Sequence, residues 1–286
     1  MNICLLTSGF LPKVGGLELV VHNLAIALSQ AGHNVVIVSP GGGVKPNESI
    51  MPYKVYRFGF RGSSRFKLTN LLAVVTLYDV VKKFNVQVVH VHDVYSPGTW
   101  SRYLGHLIKN IPIIGTPHGE DIQRCPEFGY GRRMDAHADK IIQKNLKSFN
   151  LVTAISNSVK KELIGILNNK ENIRQIPNGI WTADFGVDCN RVSVRERYGI
   201  PLDSIAIISV GRNRPIKGFD FGISVIAELA KIGRNIVYIL VGRGMSPMRE
   251  RAKDFGISDI VFTPGELSQN QLAALYCCSD IYLKTS

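Results

Sequence analysis

The sequence has 286 residues, of which 45% are hydrophobic and 20% charged, with 34 basic against 22 acidic side chains and a net charge of +12. This balance excludes an intrinsically disordered chain and suffices for two domains of ordinary size, each with its own core. The basic surplus points to an anionic ligand such as a phosphate, nucleotide, nucleic acid or acidic lipid, without choosing among them.

The first apolar run, Ile3–Thr7, reads as a strand, and the opening MNICLLTSGFLP lacks the charged start and long apolar core of a signal peptide. A loop holding Gly15-Gly16 follows. Leu17, Val20, Leu24 and Leu28 then fall on one helical face, with Gly32 as a C-cap. Further strands are expected at Val35–Ser39, Lys54–Phe58, Val86–His92, Ile111–Gly115 and Leu151–Ile155, with helices at Thr69–Phe84, Thr99–Lys109 and Asp135–Ser148. The longest helical apolar stretch, Leu71–Tyr78, is halted by Asp79 and is too short to span a bilayer. Pro177-Asn178-Gly179 marks a turn, after which the pattern restarts. Strands are expected at Ile205–Val210, Ile236–Val241, Ile260–Thr263 and Asp280–Leu283, and helices at Asp220–Ile232, Pro247–Phe255 and Gln269–Cys277. Alternation of this kind predicts parallel sheets covered by helices on both faces, in two domains that divide near residue 190. The second unit shows fewer strands than the six or so of a doubly wound nucleotide fold, so it reads as incomplete.

The five cysteines, Cys4, Cys125, Cys189, Cys277 and Cys278, form no CxxC pair. They predict a reducing compartment with no disulfide framework and no zinc site. The expected localisation is cytoplasmic, with room for peripheral contact at the inner face of a membrane.

Chemistry is sought at loops that follow strands, because parallel sheets bind ligands at their carboxyl ends. Gly15 and Gly16 open the first helix, where bare backbone N–H groups can meet an anion; a tight turn without ligand fits equally well. His118 follows Ile111–Gly115 and can donate to a sugar hydroxyl or a phosphate, or merely cap its own loop. His90 and His92 share one strand face with no third ligand in view, and read as structural or acceptor-side residues. The strongest local signal is Gly211-Arg212-Asn213-Arg214-Pro215-Ile216-Lys217-Gly218, between a strand and a helix. A guanidinium fork and an ammonium there can clamp a pyrophosphate, against the bland alternative of a solvated basic loop. Gly242-Arg243-Gly244 repeats this geometry but lacks a dinucleotide fingerprint, since Pro247 stands at the third glycine position. That loop and Thr263-Pro264-Gly265-Glu266-Leu267 either border a nucleobase or are ordinary turns.

Residues 53–67 hold five cations and five aromatics without an acid. An edge strand with a solvated face ranks first, a surface for anionic lipid second and a nucleic-acid patch third.

Taken together, these residues resemble family 4 of the glycosyltransferases, the retaining GT-B enzymes that use nucleotide sugars. The P-x-x-G-G-x-E and G-H-x-V patterns appear as Pro12, Gly15, Gly16, Glu18 and Gly32-His33-Asn34-Val35. His118-Gly119, Pro177-Asn178-Gly179, Gly211 to Gly218, Val241 to Gly244, and Leu275-Tyr276 through Asp280 follow in the family's order. The resemblance implies an α/β GT-B fold of two Rossmann-like parallel-sheet domains facing a cleft. Residues 1–190 would be the acceptor domain and residues 191–286 the nucleotide-sugar donor domain, the latter truncated. It implies transfer of a hexose-type sugar from a nucleotide diphosphate to a glycan or lipid-linked acceptor with retained configuration. His118 would contact the transferred sugar, and Arg212 and Lys217 would hold the diphosphate. Gly15, Gly16, Gly211, Gly242, Arg243, Gly244, Gly265 and Leu267 would border the donor. No cofactor or metal is implied, and no nucleic-acid partner.

The sequence departs from the family at Trp181, where an aspartate is usual, and the family's acidic E-x7-E motif would fall after Ser286. Those carboxylates motivate an alternative, a catalytically silent sugar-nucleotide or partner-binding remnant. A sugar-nucleotide epimerase shares the architecture but fits the loops less well, and no G-x-G-x-x-G supports an NAD-dependent oxidoreductase.

Overall fold

The computed structural model describes residues 1–12, 14–41, 51–59, 66–185 and 190–285. The chain divides into two compact units, Met1–Ile180 and Trp181–Ser286.

Unit 1 is a seven-stranded parallel sheet in the order β3-β2-β1-β4-β5-β6-β7. Its strands are β1 (Asn2–Thr7), β2 (Asn34–Pro40), β3 (Lys54–Phe58), β4 (Val88–His92), β5 (Ile113–Thr116), β6 (Leu151–Ala154) and β7 (Ile173–Gln175). The helices are α1 (Gly16–Gln30), α2 (Phe66–Lys83), α3 (Ser96–Leu107), α4 (Ala136–Lys147) and α5 (Asn157–Leu167). Side chains on β1 alternate between two cores. Ile3 and Leu5 pack with Val21 and Ala25 of α1. Cys4 and Leu6 pack with Ala73 and Leu77 of α2 on the other face. Burial on both faces explains why these strands read as unbroken apolar runs. The strand order reverses between β1 and β4, which places the ligand-binding end of the sheet beside the loops that follow those two strands.

Unit 2 is a four-stranded parallel sheet in the order β10-β9-β8-β11. It comprises α6 (Arg191–Tyr198), β8 (Ile205–Val210), α7 (Phe219–Lys231), β9 (Ile236–Val241), α8 (Ser246–Asp254), β10 (Val261–Gly265), α9 (Gln269–Cys278) and β11 (Ile281–Tyr282). One face of the sheet buries Ile207, Tyr238 and Leu240 against α7 and α8. The other buries Ala206, Ile208 and Ile239 with Leu275 of α9.

Three elements escape the sequence reading. In α5, Val159, Leu163 and Ile166 do face inward, behind a Ser156 N-cap. β7 has a single buried residue, Ile173. α6 fully buries only the charged Arg195, and just two half-buried apolar side chains, Val194 and Tyr198, pack on the core beside it, so its apolar period is short. β4 and β5 begin two residues later than expected, at Val88 and Ile113; Pro112, just ahead of β5, has no N–H to donate to the ladder.

Arg195 is the pin of unit 2. Its guanidinium donates to the carbonyls of Cys278, Pro201, Leu202 and Ser204 and to Asp280 Oδ2, at 2.8–3.1 Å. Cys4, Cys125 and Cys278 are free thiols, whereas Cys277 is disulfide-bonded. Cys189 lies outside the described residues.

The 53–67 stretch is described only in part, since residues 60–65 and the side chains of residues 66 and 67 fall outside. In its described part the aromatics are committed to packing. Tyr53 is buried against Phe10 and bonded to His22, and Phe58 stacks edge-on against Trp100. Tyr56 packs against Phe84, with Lys83 over its ring. Among the described residues no helix is long and apolar enough to cross a membrane.

Candidate functional site

In unit 1 the loop after β1 leads to Gly15, the N-cap of α1, which supplies no side-chain cap to the helix. Gly15 is extended (φ −165°), and a β-carbon on Gly16 would meet nothing within 4 Å. Gly16 is therefore not demanded by packing, and it lies in the first turn, whose N–H groups have no intrahelical partner. Glu18, in that first turn, is buried, and its Oε1 lies 3.1 Å from where a Gly9 β-carbon would stand. Gly9 thus keeps the space that this carboxylate fills. In the sequence Glu18 is marked only as the last position of the P-x-x-G-G-x-E pattern.

Strand β4 and the loop after β5 bring three histidines together. The His90 and His92 ring centroids are 4.3 Å apart, and His92 and His118 stack at 5.3 Å. His92 Nδ1 lies 3.0 Å from His118 Nε2, and His90 Nε2 lies 2.6 Å from Thr116 Oγ1. Thr116 in turn bonds Thr153 on β6. A polar row thus crosses β4, β5 and β6 at the carboxyl end of the sheet. Strand alternation predicts that His90 and His92 share a face, but only the fold shows that His118 completes the stack.

Burial keeps this row uncharged. It pulls His118 down to about 4, and burial with the neighbouring His118 brings His90 to about 4. His92 is held well below the ordinary imidazole range by burial, then by His90 and His118. All three are neutral imidazoles at pH 7, each with one N–H and one acceptor nitrogen. Among the described residues no group of three or more His, Cys, Asp or Glu is placed to hold a metal ion.

Asp121 holds the loops in register. Its Oδ2 accepts the Val94 N–H and its Oδ1 the His118 N–H, at 3.0 and 2.9 Å. Burial, reinforced by Asp93, pushes Asp121 up to about 7 despite these bonds. From α4, Asn145 Nδ2 donates to the carbonyls of Val94 and Tyr95, fixing the same loop from behind. Neither Asp121 nor Asn145 stands out in the sequence, because the backbone of the β4 loop that each holds is 27 or more residues away in the chain.

In unit 2 the loops after β8, β9 and β10 are laced by backbone bonds. Gly211 N donates to Val241 O, Asn213 N to Arg243 O, and Gly242 N to Gly265 O, at 2.8–2.9 Å. The β8 loop ends in Gly218, the left-handed N-cap of α7 (φ 63°), which offers no side-chain cap. A β-carbon on Gly218 would sit 2.7 Å from Thr285 O, and Thr285 Oγ1 donates to Lys217 O. The Lys217 stem lies across Gly211, with Cε 3.6 Å from a notional β-carbon there. Neither Arg212 nor Lys217 has an ion pair or side-chain hydrogen bond among the described residues; Arg212 is exposed and Lys217 half-buried. Two uncommitted cations thus share one strand-to-helix loop with a helix start that lacks a side-chain cap.

The remaining expected donor residues differ among themselves. Arg243 makes a two-pronged contact with Glu266, both bonds at 3.1 Å, in an exposed pair of small intrinsic strength. Gly244 and Gly265 hold positive φ, at 79° and 85°, as turn glycines do. Leu267 packs on the apolar cluster beneath α9. A cleft of about 420 Å³ opens beside the β8 loop, lined by Asn213, Pro215, Asp220 and Arg251 among others. Arg212 and Lys217 do not line it.

A sequence profile of Glycosyltransferase Family 4 matches residues 14–184, more than half of the chain. The chain belongs to Glycosyltransferase Family 4. A second profile, Glycosyl transferases group 1, matches residues 190–286, so family matches run through both units. An uncharacterized glycosyltransferase of Methanocaldococcus jannaschii is 26% identical over 98% of this chain and 73% of its own length. The phosphatidylinositol N-acetylglucosaminyltransferase GPI3 subunit of Saccharomyces cerevisiae is 23% identical over the whole of this chain. The chain spans only 63% of that yeast relative. Among solved structures, Anabaena HepE in complex with UDP and glucose superposes with a TM-score of 0.79 at 17% identity, over 100% of this chain and 74% of that one. The paired parallel sheets of this Family 4 member are those of a GT-B glycosyltransferase.

Proposed function

We propose that the protein is a retaining glycosyltransferase that takes a hexose-type sugar from a nucleotide diphosphate and passes it to a glycan or lipid-linked acceptor. The observation that carries this reading is the pair Arg212 and Lys217, cations without partners among the described residues on the β8 loop beside the start of α7. Charge grows on the diphosphate as the glycosidic bond breaks, and fixed cations stabilise that growth without reorganising. They would do the work of a metal ion, so no metal or other cofactor is invoked. The departing diphosphate, held on the face from which the acceptor attacks, would help take the acceptor's proton, which retains the anomeric configuration.

In this reading the rear part, residues 191–286, serves the donor, with Gly211, Gly242, Arg243, Gly244, Gly265 and Leu267 lining it. The front part, residues 1–190, serves the acceptor, with His118 donating to a hydroxyl of the transferred sugar and the open backbone at Gly15 and Gly16 admitting it. The yeast relative is named as a subunit of a phosphatidylinositol N-acetylglucosaminyltransferase, which supports a lipid-linked acceptor and work in a complex. On α2, Leu68, Leu71 and Val75 are exposed and lie on one helical face with Lys82, a surface suited to anionic lipid.

A thermal-shift panel of UDP, GDP and ADP sugars tests the reading, because a ligand that binds only the folded state raises its stability. One donor should stand out, and Arg212→Ala with Lys217→Ala should abolish its effect. Donor stabilisation that survives the double substitution would sink the assignment. Sugar transfer to an acceptor would dispose of the silent-remnant alternative.

A further inference from the structure

We propose that His92 is a positioning residue that holds His118 in the Nδ1–H tautomer, so that His118 presents a fixed N–H donor to an oxygen of the ligand. The geometry is a proton count. His92 Nδ1 and His118 Nε2 face each other at 3.0 Å, and one hydrogen lies between them. His92 is 1% exposed, and its other nitrogen, Nε2, is buried with no hydrogen-bond partner among the described residues. His118 is only partly buried, and its Nδ1 is not among the buried unpartnered atoms.

A neutral imidazole carries one N–H. If His118 Nε2 donated to His92 Nδ1, the His92 hydrogen would have to sit on Nε2, as a buried N–H with no acceptor. If His92 Nδ1 donates instead, His92 Nε2 is a bare acceptor. Orphaned buried N–H groups are the rarer and costlier of the two. The second arrangement therefore holds, and it places the His118 hydrogen on Nδ1. Doubly protonated His92 is disfavoured, since it would bury a cation beside two further imidazoles.

The neighbours keep this arrangement in place. His90 packs tilted against His92 and is tied through its own Nε2 to Thr116. Asp121 holds the His118 backbone, so the His118 ring does not drift from its partner. The ligand atom that meets Nδ1–H must be an acceptor, as a sugar hydroxyl oxygen or a phosphate oxygen is. That use of the donor rests on the glycosyl-transfer reading above; the tautomer itself does not, and the two fail separately.

The test is long-range ¹H–¹⁵N correlation of the whole chain labelled at histidine nitrogen, at pH 7.5, with His118 assigned by its loss in His118→Asn. The expected pattern is His118 protonated at Nδ1. In His92→Phe it shifts toward Nε2–H, the form free imidazole side chains favour. In His92→Gln, whose amide N–H can replace the lost donor, it stays at Nδ1–H. A wild-type His118 protonated at Nε2, or one indifferent to His92→Phe in a folded variant, overturns the proposal. If His92→Phe fails to fold, the wild-type spectrum and His92→Gln still decide. Where transfer is measurable, kcat should fall about tenfold in His92→Phe, the worth of one hydrogen bond, and recover in His92→Gln. An intact kcat beside a shifted tautomer would leave the tautomer standing and remove its catalytic purpose.

Discussion

Gly242 and Gly211 approach so closely that a β-carbon on Gly242 would stand 1.9 Å from the Gly211 carbonyl oxygen, and Gly242 itself holds φ at 138°. The β8 and β9 loops are therefore packed backbone to backbone, and the loop bearing Arg212 and Lys217 is set by a residue on the neighbouring strand. Gly242→Ala should lower the stability of unit 2 by about 2–4 kcal/mol, the sum of backbone strain and overpacking. Urea unfolding measures this directly, and a loss below about 0.5 kcal/mol would contradict the contact.

Arg212 and Lys217 make no ion pair or side-chain hydrogen bond among the described residues, so removing them leaves no buried charge behind. Arg212→Ala with Lys217→Ala should unfold at the midpoint of the parent protein within about 0.5 kcal/mol. Its affinity for a nucleoside diphosphate, read by titration calorimetry, should fall about a hundredfold. Arg212→Lys should recover only part of the loss, since an ammonium cannot grip two oxygens in a plane.

Arg195 and Arg191 both pair with Asp280 but with unequal consequence. The Arg195 side chain is 2% exposed, whereas that of Arg191 is 45% exposed. Partial burial would raise Asp280, yet the Ala206 N–H and the Arg191 and Arg195 guanidinium groups hold its carboxyl below the usual range. Arg195→Ala abandons four carbonyls and a carboxylate, and should cost about 3–5 kcal/mol. Arg191→Ala should cost less than about 1 kcal/mol. Denaturation of the two variants side by side checks the ranking, and equal losses would refute it.

The histidine stack gives unit 1 a pH-dependent stability. His90, His92 and His118 hold protons less well folded than unfolded, so their contribution is present above the unfolded imidazole value of 6.5 and is lost as pH falls toward about 4. Asp121, raised to about 7 by burial and Asp93, works in the opposite sense. It keeps a proton when folded that it would release when unfolded, so its contribution is lost as pH rises toward 7. The net is about two protons taken up on unfolding between pH 4.5 and 6, so stability should climb by at most about 2.7 kcal/mol per pH unit there. Guanidinium midpoints across that range test the slope, which should lessen in His118→Gln. A flat profile would mean that the stack is solvated.

Much of the fold is legible because parallel strands buried on both faces leave apolar runs that need no partner to be recognised, as Ile3–Thr7 and Ile236–Val241 show. α6 is not legible in the sequence, since beside the half-buried Val194 and Tyr198 its one fully buried residue is Arg195, whose burial makes sense only once Asp280 and the carbonyls of Pro201, Leu202 and Ser204 have been brought to it. Arg212 and Lys217 stand out in the sequence because a strand, a glycine and a helix follow one another locally. His92 and Asp121 do not, although they orient His118.

The sequence by itself determined the alternating elements, the family and the loops at which cations and glycines collect, since each depends on neighbours within a few residues. Only the tertiary structure decided that His92 faces His118, that Asp121 ties the loops of β4 and β5, and that Gly242 meets Gly211. The physical reason is that these contacts join chain segments 26 to 31 residues apart. They exist only after the sheet has closed and drawn the carboxyl ends of its strands together.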